Sequence, residues 1–241
     1  MVPLMRCLLV ALASLALLPG NARAQSGQLV DLELVLAVDT STSVDEQEFA
    51  LQTQGLAEAF LHPDVVNAIR LAGRKGVAVS VVHWAGAGAQ ATAVDWFVVR
   101  DSASAAALSR RIASTARVLN GMTDIAGVLQ FSMRSILSNG LDGARRVSDV
   151  SGDGTGNAGK DAAARDQALA QGIVVNGLVI KNVDYSLGEL ANIDLYSHYR
   201  DNVIGGPGAF LMTAKDYDDF RVAIRRKLVR EIIGPVSATA H

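Results

Sequence analysis

Leu32-Glu33-Leu34-Val35-Leu36-Ala37-Val38-Asp39-Thr40-Ser41-Thr42-Ser43 is the stretch on which the fold turns. Its first seven residues make an apolar run interrupted only by Glu33. That length and its branched side chains specify a buried strand. The next segment, Val44-Asp45-Glu46-Gln47-Glu48-Phe49, opens a helical pattern with acids in its first turn, where the helix dipole favours negative charge. Asp39, Ser41 and Ser43 therefore fall in a strand-to-helix turn. In a parallel α/β sheet that turn lies at the carboxyl end of a strand, where ligands bind. One carboxylate and two hydroxyls at alternate positions are hard oxygen donors, suited to Mg²⁺, Mn²⁺ or Ca²⁺. Ser43 is equally suited to cap the following helix, and one serine can do both.

Two later stretches bring more oxygen donors to strand ends. Gly121-Met122-Thr123-Asp124 precedes a helical run from Ile125 to Leu137, which Thr123 could also cap. Val147-Ser148-Asp149-Val150-Ser151-Gly152-Asp153-Gly154 ends a strand-like run in an acid and glycines. With D-x-S-x-S after the first strand, Thr123 opening a later helix and Asp153 after a central strand, the chain resembles the von Willebrand factor A domain. The resemblance spans roughly Leu29 to Ile233. It implies a metal-ion-dependent adhesion site in which Ser41, Ser43 and Thr123 touch the metal, and Asp39 and Asp153 hold it directly or through water. It further implies Mg²⁺, with Mn²⁺ or Ca²⁺ as substitutes, and an open coordination position for a partner's Asp or Glu carboxylate.

Residues 1–24 read as a leader outside the fold. Arg6 gives a positive start, Cys7 to Leu18 is apolar, and Ala22-Arg23-Ala24 has the small-x-small form of a cleavage site. The expectation is an exported protein, periplasmic or secreted, with residues 25–241 forming one domain. Cys7 is the single cysteine, so the remainder has no disulfide and no cysteine-type zinc site. The net charge is −2, and it becomes −4 once Arg6 and Arg23 leave with the leader. A mildly acidic chain without a basic block gives no support for nucleic-acid binding. No apolar segment beyond the leader is long enough to cross a membrane.

Along the chain, the first helix is expected from Asp45 to Phe60, ending at His62-Pro63, with a short Asp64-capped helix over Val65 to Leu71. Gly76 to Trp84 and Ala93 to Val99 read as strands. The link between them is so short that the second should be antiparallel. Trp84 and Trp96 are candidates for a cross-strand pair, and His83 is placed in or beside the sheet. Ser102 is the natural cap of a helix over Ser102 to Ser114. Arg145 to Val150 is a central strand with arginines expected in solvent. The loop from Ser151 to Gly159 is glycine-dense but lacks G-x-x-x-x-G-K-[ST], because Asp161 follows Lys160. A helix over Asp161 to Gln171, an apolar strand Ile173 to Ile180, a less regular Val183 to Arg200, and a short strand Ala209 to Thr213 follow. The last helix, Tyr217 to Ile233, has Phe220, Ile224, Leu228 and Ile232 at helical spacing, with its Arg and Lys residues (Lys227 included) on a solvated face. Val236 to His241 should be loose. The alternation predicts an α/β fold: a doubly wound, mostly parallel sheet with one antiparallel edge strand and helices on both faces.

Three functions fit this sequence. The first is an exported module that binds a partner carboxylate through a metal. The second is the same fold with a vestigial site, binding a partner through another surface such as the tyrosines between Tyr185 and Tyr199. The third is a metal-dependent hydrolase. Against it, aspartate-nucleophile phosphatases carry D-x-D where this chain has Ser41, no G-x-S-x-G elbow is present, and the four histidines have no evident acid partner by spacing. The reading is therefore of a binding protein and not an enzyme.

Overall fold

The computed structural model describes residues 27–181 and 195–235. The expected leader, Tyr185, Leu187, Leu190 and the C-terminal Val236 to His241 lie outside the described residues. The chain runs β1 (Gln28–Val30), β2 (Leu32–Asp39), α1 (Glu46–Leu61), α2 (Pro63–Ala72), β3 (Val77–Trp84) and β4 (Gln90–Val99). It continues through α3 (Ser102–Ala113), α4 (Ile125–Ser138), β5 (Leu141–Gly143), β6 (Arg146–Gly152), α5 (Ala158–Ala170) and β7 (Ile173–Ile180). A π-helical turn (Tyr199–Val203), β8 (Leu211–Ala214) and α6 (Tyr217–Ile233) complete it.

Six strands form the main sheet in the order β4-β3-β2-β6-β7-β8. Every pairing is parallel except β3 with β4, the antiparallel edge. The apolar run of β2 is continuous because both its faces are covered. Leu34, Leu36 and Val38 join a core with α1, α2, α3 and α6, while Val35 and Ala37 join a second core with α4 and α5. From β2 the chain crosses to β3 on one side and later to β6 on the other. The strand order reverses there, and the crevice above a reversal is where open α/β sheets bind ligands.

Several local expectations are corrected. Capping passes to residues with better reach: Asp45 forms a capping box with Glu48, Asp101 caps α3 in place of Ser102, and His62 caps α2 in place of Asp64. Two three-residue strands that carry no periodic signal, β1 and β5, pair in parallel as a separate small sheet. Trp84 lies opposite Gln90, so it does not pair with Trp96, whose indole N–H donates to Ser135 (3.1 Å). The arginines before β6 are not solvated bystanders. Arg145 donates to the carbonyls of Glu231 (3.0 Å) and Ile232 (2.6 Å) at the end of α6. Arg146 pairs with buried Glu33 at 3.3 Å. Glu33 also accepts from Asn139 (2.6 Å) and the Gly143 N–H (2.8 Å), which is how a strand interior tolerates a carboxylate.

Lys227 is the largest departure. It is wholly buried, with Nζ 2.6 Å from Asp149 and 2.5 Å from Glu231. Asn176 donates to the other oxygen of Glu231 at 2.7 Å. Attraction to the two acids raises the Lys227 pKa against the opposing effect of burial, so its ammonium is charged.

Candidate metal centre

Asp39 is the last residue of β2, and its Oδ1 accepts the Ser41 N–H at 2.8 Å. A carboxylate that bonds the backbone two residues on turns the chain sharply. The turn is then held from both sides. Thr40 donates its N–H (2.8 Å) and its hydroxyl (3.1 Å) to the Trp84 carbonyl on β3. Thr42 does the same to Gly121, at 2.8 and 2.9 Å. Arg117 donates to the carbonyls of Thr40 (3.1 Å) and Ser41 (2.8 Å). The serine loop is thus fixed to the segment that leads into α4.

The hydroxyls of Ser41 and Ser43 lie 3.0 Å apart. Ser43 donates to Asp153 Oδ1 at 2.6 Å, although 110 residues separate them in sequence. Asp153 follows the end of β6, the strand hydrogen-bonded directly to β2. The Thr123 side chain meets the same loop, since a Cβ on Gly154 would stand 2.5 Å from Thr123 Oγ1. A Cβ on Gly152 would stand 2.7 Å from Asp39 Oδ2. These two glycines let the β6 loop close over the β2 turn. All five sequence-selected residues therefore gather at one point. Asp45 and Asp124 take the capping of α1 and α4, so neither Ser43 nor Thr123 is used as a cap.

Burial is graded across the group. Asp39 and Ser41 are buried, Asp153 and Thr123 are half-buried, and Ser43 is exposed. The cluster opens outward from Asp39. Asp39 Oδ2 is buried without a hydrogen-bond partner. Burial first, and the Asp153 charge second, push the Asp39 carboxyl up to about 7. A buried carboxylate with an orphaned oxygen, facing hydroxyl oxygens and a second acid, is an arrangement that a bound cation would stabilise. The spacing agrees. An octahedral shell with bonds of about 2.0–2.1 Å sets neighbouring oxygens about 2.9 Å apart, close to the 3.0 Å between Ser41 and Ser43. The residues fit a small, hard divalent cation. Among the described residues no three His, Cys, Asp or Glu side chains gather at a metal distance, so the donor set here is mostly neutral hydroxyl.

Three neighbours were not legible in the sequence. Tyr217, the first residue of α6, donates its hydroxyl to Asp153 Oδ2 at 3.0 Å. Trp84 is fully buried, and its ring lies against Gly152. Tyr199, in the π-helical turn, brings its hydroxyl to the same glycine. Tyr199 is fully buried, so it is not part of a partner surface, whereas Tyr196 is exposed. The histidines also differ from expectation. His198 Nε2 pairs with Asp161 Oδ2 at 2.9 Å, and Asp161 Oδ1 accepts the Ala126 N–H at 3.0 Å. That buried pair joins the starts of α4 and α5, and among the described residues no histidine bonds to Ser41 or Ser43.

Solved structures share this architecture at low identity. Proximal thread matrix protein 1 from the mussel byssus superposes with a TM-score of 0.59 at 14% identity, over 86% of this chain and 48% of its own. This chain thus spans about half the length of that protein. A second structure of the same protein has a zinc-occupied MIDAS motif (TM-score 0.54, 13% identity, 86% and 46% covered). The pilus adhesin SpaC from Lactobacillus rhamnosus GG matches with a TM-score of 0.59 at 14% identity, over 84% of this chain and 30% of its own. A von Willebrand factor type A structure from Catenulispora acidiphila gives 0.57 at 13% identity, over 84% and 42%. The fold is therefore of the von Willebrand factor A type, with the expected mostly parallel sheet and antiparallel edge. No curated protein matches the chain. Residues 29–236 match the model of the family described as "Protein of unknown function (DUF1194)", and the chain belongs to that family.

Proposed function

We propose that this chain is an exported protein-binding module that holds a Mg²⁺-type cation with Asp39, Ser41, Ser43, Thr123 and Asp153 and captures a carboxylate of a partner protein. The observation that carries the reading is the chain of contacts from Asp39 through Ser41 and Ser43 to Asp153, with Asp39 Oδ2 buried and unpartnered at its inner end. A cation held mainly by neutral hydroxyls keeps its affinity for an external carboxylate. Mn²⁺ or Ca²⁺ could take the same oxygens.

The chain's own residues do the positioning. Asp39 shapes the turn and supplies charge from below. Asp153, held by Tyr217, orients the Ser43 hydroxyl. The exposed side of Ser43 leaves the outward direction open to a partner. Binding is favoured over hydrolysis because among the described residues neither serine has a histidine to take its proton, and the buried His198–Asp161 pair is bonded to a helix start. Export is proposed from the leader, and among the described residues no helix is long and apolar enough to cross a membrane. The PTMP1 structure with a zinc-occupied MIDAS motif and the adhesin SpaC lend the reading analogy of fold.

Calorimetric titration of Mg²⁺, Mn²⁺ and Ca²⁺ into residues 25–241 tests the proposal. Saturable one-site binding, lost in Asp39→Ala, is expected. Partner capture that persists in chelator, or in Asp39→Ala, would overturn it.

A further inference from the structure

A cavity of about 500 Å³ lies between β3, β4 and the C-terminal end of α3. Its size is within the range of about 300–1,000 Å³ typical of ligand sites. His83 lines it, is 2% exposed, and has Nδ1 buried without a hydrogen-bond partner. A buried polar nitrogen with no partner is rare in a folded protein and calls for a reason. Phe49 holds the imidazole edge-on, with ring centres 5.3 Å apart and planes at 83°. Burial lowers the His83 pKa to about 4, so at neutral pH the ring offers one N–H and one lone pair.

Arg111 lines the same cavity. Its guanidinium stacks over Phe97 at 4.4 Å and has no carboxylate partner among the described residues. Stacking uses the flat face of a guanidinium and leaves its edge N–H groups available. Asp95 also reaches the cavity but forms no ion pair with Arg111. The hydroxyls of Ser114 and Thr115 are spent on carbonyls of α3, at 2.8 Å each. What remains in this cavity is the exposed Arg111 guanidinium with free donors, a neutral ring N–H, and the exposed Asp95 carboxylate, which leaves Arg111 unpaired.

We propose that this cavity is a carboxylate-binding site, in which Arg111 supplies the charge and His83 a ring N–H. The site stands apart from the cation reading, because none of its residues is a candidate metal ligand. The two are nevertheless joined. Val118 lines the cavity and is 71% exposed, and the segment from Ser114 through Val118 runs on to Thr123. Arg117, within that segment, bonds the carbonyls of Thr40 and Ser41. If the cation reading also holds, the partner is an acidic segment with two carboxylates, one for each site.

The test uses sodium acetate as probe, with chelator present so that no cation takes part. Imidazole resonances of His83 and the Thr92 amide are followed by NMR, with sodium chloride at matched ionic strength and neutral acetamide as controls. Saturable shifts with acetate are expected in the wild type and in Asp39→Ala. At least tenfold weaker binding is expected in Arg111→Gln, and the Thr92 response should also fall at least tenfold in His83→Phe. Equal shifts with sodium chloride or acetamide, or unchanged acetate affinity in Arg111→Gln, would overturn the proposal. Loss in Asp39→Ala would overturn the independence of this site from the cation centre.

Discussion

Asp39 and Asp149 invite comparison. They stand on neighbouring strands, both buried, and burial pushes each carboxyl upward, Asp39 to about 7. Asp149 meets the Lys227 ammonium at 2.6 Å, and the lysine is shared with Glu231 and braced by Asn176. Asp39 meets only N–H groups, hydroxyls and a second acid, and one of its oxygens has no partner. The same chain has therefore closed one buried carboxylate with its own cation and left an oxygen of the other without a partner. The closed cluster belongs to the fold. The open one is where the proposed function places the cation.

The sharpest way to break this contrast is Lys227→Met. It leaves Asp149 and Glu231 buried without their cation, and denaturant unfolding should show a loss of about 3–5 kcal/mol. Replacing Lys227, Asp149 and Glu231 together with apolar residues should recover most of that loss. A single variant as stable as wild type would mean that the cluster is not what neutralises Asp149.

Asp39→Asn should behave in the opposite way. In chelator its unfolding free energy should stay within about 1 kcal/mol of wild type, as for a site the fold does not depend on. Calorimetric cation affinity should nonetheless drop at least tenfold. A variant that fails to fold would erase the distinction between the two aspartates.

A third buried group, His83, sharpens the comparison through pH. Its folded pKa is lowered to about 4 from 6.5, so the unfolded chain binds the extra proton first as pH falls. Its contribution to stability is therefore full above about pH 6.5 and lost as pH falls toward 4, up to about 3 kcal/mol over that window. Buried aspartates titrate in the opposite sense, so the difference between wild type and His83→Phe isolates the histidine. Wild-type stability relative to His83→Phe should rise with pH across this window, and a flat difference would show that His83 does not titrate in it.

The smallest effect is expected for Tyr217→Phe. Losing one hydroxyl donor from Asp153 should cost about 0.5–1.5 kcal/mol of stability. It should also weaken cation binding a few-fold, because Asp153 orients Ser43. An unchanged cation affinity would leave Tyr217 a helix anchor alone.

Most of the main sheet was legible because its signals are local. The strand Ile173 to Ile180 and the helix Tyr217 to Ile233 fall where an apolar run and a helical stripe put them. The five candidate site residues were legible because each ends or precedes such an element. Lys227 was misread because charge on a helix usually means solvent. Yet it lies seven residues after Phe220, on the buried stripe, with Glu231 one turn later and Asp149 inside an apolar strand. An i, i+4 Lys–Glu pair on the apolar face was the available signal. Tyr217 could not have been tied to Asp153, since 64 residues separate them and only the folded sheet brings them together. The strands β1 and β5 are three residues long, too short to show a period.

Trp84 gives the cluster a built-in optical reporter. The chain has two tryptophans. Trp96 sits half-buried on the edge strand, tied to Ser135, whereas Trp84 is fully enclosed with its ring against Gly152 and the Asp39 carboxylate beyond. In a Trp96→Phe background, all indole emission would come from one ring beside the proposed cation. Charge arriving at Asp39 could then be read as a shift in fluorescence wavelength or intensity, without labels and at micromolar concentrations.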